Sequence, residues 1–417
     1  MAFIEIRNLS KVFGPQAASI LPQLSEERSK EEVLQQTGHT VGLYDISLDI
    51  ERGETFVVMG LSGSGKSTLV RCLNRLIEPT AGSISVGDVD VLALDAHGLR
   101  DARRRRFGMV FQRFGLLPHR TVLENVAFGL RVRNVGKEER LERAGHWIEV
   151  VGLSGYEHSR PQALSGGMQQ RVGLARALAT DPDVLLMDEA FSALDPLIRR
   201  EMQDELMRIQ RDLRKTIVFI THDLDEALRL GDRVAILNHG RLVQVSTPAG
   251  IVLSPATDYV RAFVEHVNRA RVLRVRHIME DAVTVSLAQR GSDVTNRLLA
   301  SNGLAAFVQD ARGRYQGTVS FHDAGQNPER PVAELLREEA LTLAADMLLE
   351  DAMEPLGDSQ LPAAVVGDDG RLLGMLRPRA VLLAMGANRV ADSFTSKLGT
   401  AGQGAAQPSR TEAARSG

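Results

Sequence analysis

Long apolar runs, disulfides and a strong charge of either sign are all missing from this chain of 417 residues. No window approaches about 18 uninterrupted apolar residues, so no segment reads as a bilayer span. The opening Met1-Ala2-Phe3-Ile4-Glu5-Ile6-Arg7 alternates like a strand and has no apolar core of signal-peptide length. Any membrane role must come through a partner. The single cysteine, Cys72, excludes an intrachain disulfide and fits a reducing compartment. It reads as a small buried apolar residue. A formal charge of −3 argues against a general nucleic-acid binder. The remaining profile, 43% hydrophobic and 25% charged residues, is globular and too long for one core, so two or three domains are expected.

What is present is a phosphate-binding loop filled at every position: Gly60, Leu61, Ser62, Gly63, Ser64, Gly65, Lys66, Ser67 and Thr68. It follows the strand-like run Phe56-Val57-Val58-Met59 and leads into Leu69-Val70-Arg71-Cys72-Leu73, which reads as a helix. Glycines let the backbone wrap so that successive N–H groups converge on phosphates at the positive end of that helix. Lys66 adds a point charge, and the Ser67 hydroxyl is able to ligate Mg²⁺. Downstream, the apolar run Val184-Leu185-Leu186-Met187 ends in Asp188 and Glu189. Asp188 is placed to hold Mg²⁺, and Glu189 to polarise an attacking water. Between the two lies Leu164-Ser165-Gly166-Gly167-Met168-Gln169-Gln170-Arg171, a second glycine-rich helix start and a ready anion site.

Strand-like segments recur at 44–50, 55–60, 83–86, 107–111, 183–188, 216–221 and 233–237, several separated by helical stretches. Residues 2–13 read as an edge strand and turn. Asn238-His239-Gly240 is a hairpin signal. This gives an α/β nucleotide-binding domain over 1–247, interrupted by an insertion at 15–40 in which 25–34 is helical in character. A helical connector follows at 248–275. Two similar smaller units then span 276–326 and 327–388, the second with a helix around 341–350. From 389 to 417 Gly, Ala, Ser, Thr and Gln dominate, and disorder is expected. The run Arg103 to Arg106 reads as a solvated helix face.

With the phosphate loop, the Leu-Ser-Gly-Gly signature and the Asp-Glu strand in this order, the chain resembles an ABC-transporter ATPase subunit. The resemblance implies an α/β P-loop ATPase fold with a helical subdomain, and ATP with Mg²⁺ as the bound species. It implies that Gln112, after Gly108-Met109-Val110-Phe111, touches Mg²⁺ and the attacking water. His222 would contact the γ-phosphate, and Asp195 in Ser192-Ala193-Leu194-Asp195 would communicate across a dimer. Phe13 would stack on adenine, with Tyr44 as the competitor. It also implies a head-to-tail dimer of two copies, each ATP held between one phosphate loop and the partner copy's Ser165, Gly166 and Gly167.

The insertion, the run Leu73-Asn74-Arg75-Leu76-Ile77-Glu78-Pro79-Thr80 and the run from Phe111 to His119 resemble the ATP-binding subunit of glycine betaine/L-proline importers. The repeated C-terminal unit looks like a tandem pair of CBS domains. The implied protein is a peripheral subunit on the cytoplasmic face of the inner membrane. Its implied partners are a transmembrane permease and, indirectly, a substrate-binding protein, with no nucleic acid. An importer for another small molecule such as an amino acid, and a soluble non-transport ABC ATPase, are the alternatives. Ser320 and Asp323 fit an adenine-nucleotide site in the first CBS unit, or equally a strand-to-helix cap. The basic stretch Arg261, Arg269, Arg271, Arg274 and Arg276 is either a solvated helix or a contact for anionic lipid.

Overall fold

Strands with no polar face must be covered on both sides, and three runs in this sequence have none. In the computed structural model, which describes residues 2–24, 30–112 and 114–386, all three become fully buried central strands. The strands of the first unit, which ends at Val264, are β1 (Ile4–Phe13), β2 (Thr40–Ile50), β3 (Thr55–Met59), β4 (Ala81–Val86) and β5 (Val89–Asp90). They continue with β6 (Phe107–Phe111), β7 (Val184–Asp188), β8 (Thr216–Thr221), β9 (Arg233–Asn238) and β10 (Arg241–Ser246). One sheet has the order β10-β9-β3-β8-β7-β6 and is parallel except for the β9–β10 hairpin at its edge. A second, antiparallel sheet has the order β2-β1-β4-β5. The two share a core in which Ile4, Leu43 and Ile84 meet Phe56, Leu186 and Ile220.

β1 is therefore an interior strand and not the edge strand its position in the chain suggests. Its backbone pairs antiparallel with β2 at one edge and with β4 at the other. Between β6 and β7 the chain makes four helices, Val122–Val126, Phe128–Val132, Lys137–Val150 and Gly166–Ala179, which pack on one another. The insertion holds a helical turn, Ala17–Gln23, and a helix, Lys30–Thr37; residues 25–29 lie outside the described set.

The stretch 248–275 does not behave as one connector. Helices Pro248–Leu253 and Asp258–Val264 belong to the first unit, and the short turn Arg269–Arg271 belongs to the second.

The second unit contains the same arrangement twice. β11 (Thr284–Val285) runs parallel to β12 (Ala305–Gln309), which is antiparallel to β13 (Tyr315–Ser320), with helix Gly291–Ser301 between the first two. β14 (Thr342–Ala344), β15 (Ala363–Val366) and β16 (Leu372–Leu376) repeat that pairing around helix Leu349–Asp358. The sheets meet where Phe307 and Tyr315 pack on Ala364, Met375 and Leu372. The helix expected around 341–350 starts later because Thr342, Leu343 and Ala344 pair with Ala364, Val365 and Val366. Strand pairing outweighs the local helix preference of a Leu/Ala-rich stretch. The expected tail, 389–417, lies outside the described residues.

Candidate active site at four strand ends

Four parallel strands, β3, β8, β7 and β6, end at one level, because Met59 pairs with Thr221, Ile220 with Asp188, and Asp188 with Phe111. Whatever follows those ends is brought together regardless of sequence distance, at the carboxyl edge where open parallel sheets bind ligands. Gly60 follows β3, His222 follows β8, Glu189 follows β7 and Gln112 follows β6.

The loop after β3 needs its glycines. Gly60 has φ of 151°, and a Cβ there would stand 2.2 Å from the Leu237 carbonyl oxygen. Gly65, the residue capping helix Lys66–Leu73, has φ of 103°, and its Cβ would meet the Gly42 carbonyl oxygen at 2.6 Å. Lys66 is buried, its Nζ donating to the carbonyls of Gly60 at 2.8 Å and Leu61 at 3.0 Å. Burial lowers its proton affinity, and the carboxylates of Glu189 and Asp188 push it back up. A bound polyphosphate would add to that second effect.

Ser67 Oγ donates to Asp188 Oδ1 at 2.9 Å, and Arg71 reaches the other oxygen of Asp188 at 3.5 Å. Ser67, Asp188 and the Gln112 amide offer hard oxygen donors, the chemistry that suits Mg²⁺, which ordinarily completes its shell from phosphates and water. The Ser67–Asp188 contact puts two of these donors in register before any ion is considered.

Glu189 sits in a left-handed conformation, φ 47°. Its Oε2 lies 3.3 Å from Gln112 Nε2 and 3.4 Å from His222 Nδ1. Ser192 Oγ donates to the Glu189 carbonyl at 2.9 Å and accepts from Gln112 Nε2 at 3.1 Å. The carboxylate is thereby held among two polar side chains and is aimed past the strand end.

A cavity of about 430 Å³ lies over the loop, lined by Phe13, Gly42, Ser62, Gly63, Gly65, Lys66, Ser67, Thr68 and Glu189. Phe13 is 40% exposed, with the Lys11 ammonium 5.0 Å from its ring centre. Tyr44 is engaged elsewhere: its hydroxyl donates to the Leu24 carbonyl at 3.0 Å, and Arg241 lies over its ring at 4.2 Å. Ser64 is buried within the loop. Ser165, Gly166, Gly167 and Asp195 do not line this cavity. Ser165 caps helix Gly166–Ala179 through the Met168 N–H, and Asp195 caps helix Pro196–Leu213 through the Ile198 N–H. Both are exposed. Sequence reasoning missed Arg71, and it missed Ser192 as the link between Gln112 and Glu189. Only its place in a tight turn three residues after Glu189 hinted at the latter.

In the second unit Ser320 and Asp323 are turned on each other. Ser320 Oγ donates to Asp323 Oδ2 at 2.7 Å while accepting from the Asp323 N–H, so it caps helix Phe321–Gln326. Arg337 donates to the same carboxylate oxygen at 2.8 Å. The Ser320 hydrogen bond and then Arg337 hold Asp323 below the usual carboxylate range. The basic stretch is also paired: Arg271 with Glu350 at 3.1 Å, Arg276 with Asp346 at 2.6 Å, and Arg274 with the Asp346 carbonyl. The acidic partners of Arg271 and Arg276 come from the second half of the unit and were not visible in the local sequence.

A family model described as ABC transporter matches residues 43–192. The chain is 45% identical over 388 residues to the glycine betaine transport ATP-binding protein OpuAA of Bacillus subtilis (strain 168), covering 92% of this chain and 93% of that one. It is 43% identical over 388 residues to the glycine betaine/proline betaine transport system ATP-binding protein ProV of Escherichia coli (strain K12), covering 92% and 97%. Over 270 residues it is 54% identical to the trimethylamine N-oxide transport system ATP-binding protein TmoW of Ruegeria pomeroyi, covering 65% of this chain and 79% of that one. Among solved structures, a dimeric post-hydrolysis ATP-binding cassette bound to ADP and Pi is similar at 31% identity and a TM-score of 0.50, covering 59% of this chain and 98% of that one.

Proposed function

Because the chain belongs to the family of ABC-transporter ATP-binding subunits that serve betaine-type uptake, we propose that it is the ATP-hydrolysing subunit of an importer for glycine betaine, proline betaine or a similar small zwitterionic osmoprotectant. The observation that carries this is the convergence of Gly60, Gln112, Glu189 and His222 at four level strand ends. In this reading Phe13 stacks on adenine, and Gly60, Ser62, Gly63, Ser64, Gly65, Lys66, Ser67 and Thr68 cradle the phosphates. Ser67, Gln112 and Asp188 hold Mg²⁺, which would neutralise phosphate charge when bound. Glu189 takes the proton of the attacking water, with Gln112 orienting that water and His222 at the γ-phosphate.

The exposed Ser165, Gly166 and Asp195, with the buried Gly167 next to them, complete the site of a second copy, so the working unit is a head-to-tail dimer, as the related cassette bound to ADP and Pi is dimeric. Among the described residues no helix is long and apolar enough to cross a membrane. Translocation therefore falls to a separate permease, with this chain peripheral on its cytoplasmic side and a substrate-binding protein acting through that permease. Uptake of radiolabelled betaine, proline, choline and trimethylamine N-oxide by the reconstituted complex tests the substrate class. Uptake of another amino acid in preference to all four would replace it.

The loop after Gln112 is the permease surface in this reading. Asn125, fully buried, pins it by accepting from the Leu117 N–H at 2.8 Å and donating to the carbonyls of Leu117, Arg120 and Thr121. That leaves Phe111, Phe114, Leu116 and Leu117 on one small, partly exposed surface; Arg113 lies outside the described residues. Leu117→Arg is expected to lower uptake severalfold while the isolated subunit hydrolyses ATP at close to its normal rate. Normal uptake by this variant would remove the assignment.

The second unit, read as a CBS pair over 276–326 and 327–388, regulates the motor without taking part in its chemistry. Residues 269–277 pack into this unit through buried Leu273 and Val275, so the clean cut falls after Val264. In this reading the full chain imports only above a threshold ionic strength, and a chain ending at Val264 is expected to hydrolyse ATP and to lose that salt dependence of uptake in anionic liposomes. The pairs Arg271–Glu350 and Arg276–Asp346 are surface pairs that salt weakens. Unchanged salt dependence in the shortened chain would overturn the regulatory role. If Asp323→Ala alone abolished that dependence, a nucleotide switch would replace an ionic one.

A further inference from the structure

The insertion at 15–40 takes no part in the chemistry assigned so far, yet it is built against the nucleotide cavity. Ile20, Leu24 and Val33 from its two helical pieces pack on Val12 and Val41 in a small core of their own. Val12 and Val41 are the chain neighbours of Phe13 and Gly42, so this core fixes helix Lys30–Thr37 beside the base end of the cavity. Lys30 and Leu34, one turn apart on that helix, line the cavity together with Glu31.

Lys30 Nζ lies 3.4 Å from the Gly63 carbonyl oxygen at the tip of the phosphate loop and 3.5 Å from the Gly42 carbonyl oxygen. Gly42 in turn backs the Phe13 ring, since a Cβ there would be 2.8 Å from it. The ammonium thus stands between Gly42, which backs the ring, and Gly63 of the phosphate loop. We propose that Lys30 is a second phosphate-contacting lysine, presented by the insertion and directed at the α- and β-phosphates of ATP. The proposal rests on the ATP reading above and extends it to a residue outside the loop.

Both carbonyl contacts are long for hydrogen bonds to an ammonium, and a phosphate oxygen would form shorter, charge-assisted ones. Burial lowers the proton affinity of Lys30, and Glu31 raises it. An ammonium half-withdrawn from water is stabilised by an arriving anion. The competing role is a latch that ties the insertion to the Gly42 and Gly63 carbonyls and never touches nucleotide.

Calorimetric titration of the full chain with ATP, ADP and adenosine separates these roles. In Lys30→Gln, ATP and ADP are expected to bind about tenfold more weakly, adenosine as before, and Lys30→Arg is expected to recover most of the loss. Glu31→Gln removes a like charge beside the phosphates and is expected to tighten ATP and ADP by up to a few-fold. Unchanged ATP and ADP affinity in Lys30→Gln overturns the proposal, as does a loss for ATP that spares ADP. An equal loss for adenosine, or no response in Glu31→Gln, assigns the latch role and also overturns it. If the unmodified chain binds none of the three, the ATP reading falls first and takes this one with it.

Discussion

Glu189→Gln is expected to lower ATP hydrolysis by about 10²–10⁴-fold while ATP still binds. The amide has the shape of the carboxylate and keeps one oxygen for Gln112 Nε2, now 3.3 Å from Oε2. What it lacks is a group able to take a proton from water. The loss corresponds to roughly 3–5 kcal/mol of barrier. Its position makes the assignment specific: the residue follows directly on the end of β7, in a left-handed conformation that a side chain adopts only when its surroundings fix it. Because the phosphate contacts are intact, the variant should accumulate as an ATP-bound dimer, visible by size exclusion with ATP and absent with ADP. Hydrolysis within tenfold of normal would move the catalytic role to another group, and His222, 3.4 Å away, is the first to examine.

Lys66→Ala should act at the earlier step and abolish ATP binding at concentrations that saturate the normal chain. Its ammonium is the buried cation of the loop, and two unit charges about 4 Å apart interact by about 4 kcal/mol at an effective dielectric near 20. A loss of about 100-fold or more in affinity follows, measurable by equilibrium binding of a fluorescent ATP analogue. The fold should persist, because alanine suits the first turn of helix Lys66–Leu73 and the loop glycines keep their own conformation. Retention of near-normal affinity would mean that backbone N–H groups alone hold the phosphates. The two variants therefore separate binding from chemistry: one binds without hydrolysing, the other does neither.

Local sequence carried the parts of this protein whose physics is local. The phosphate loop is legible because Gly60 and Gly65 sit where a Cβ would strike the backbone of Leu237 and Gly42, so no other residue fits there. Apolar runs marked β3, β7 and β8 as strands, and Asn238-His239-Gly240 marked the hairpin. The order of loop, signature and Asp-Glu strand was enough to identify the family. Even the doubling of the second unit could be read from its two similar stretches of strand and turn.

Only the tertiary structure decided which distant residues meet. Register across β3, β8, β7 and β6 is set by burial on both faces of the sheet, and it brings Gln112, Glu189 and His222 to within hydrogen-bonding reach. The same long-range packing placed Lys30 beside Gly63 and gave the arginines of the second unit their partners Glu350 and Asp346. It also made β1 an interior strand and Thr342–Ala344 a strand where local preference favoured helix. A side chain's neighbours along the chain limit its conformation. Its charge partners and its place at a site come from surfaces that close only when the whole core forms, and no window of sequence contains both sides of such a contact.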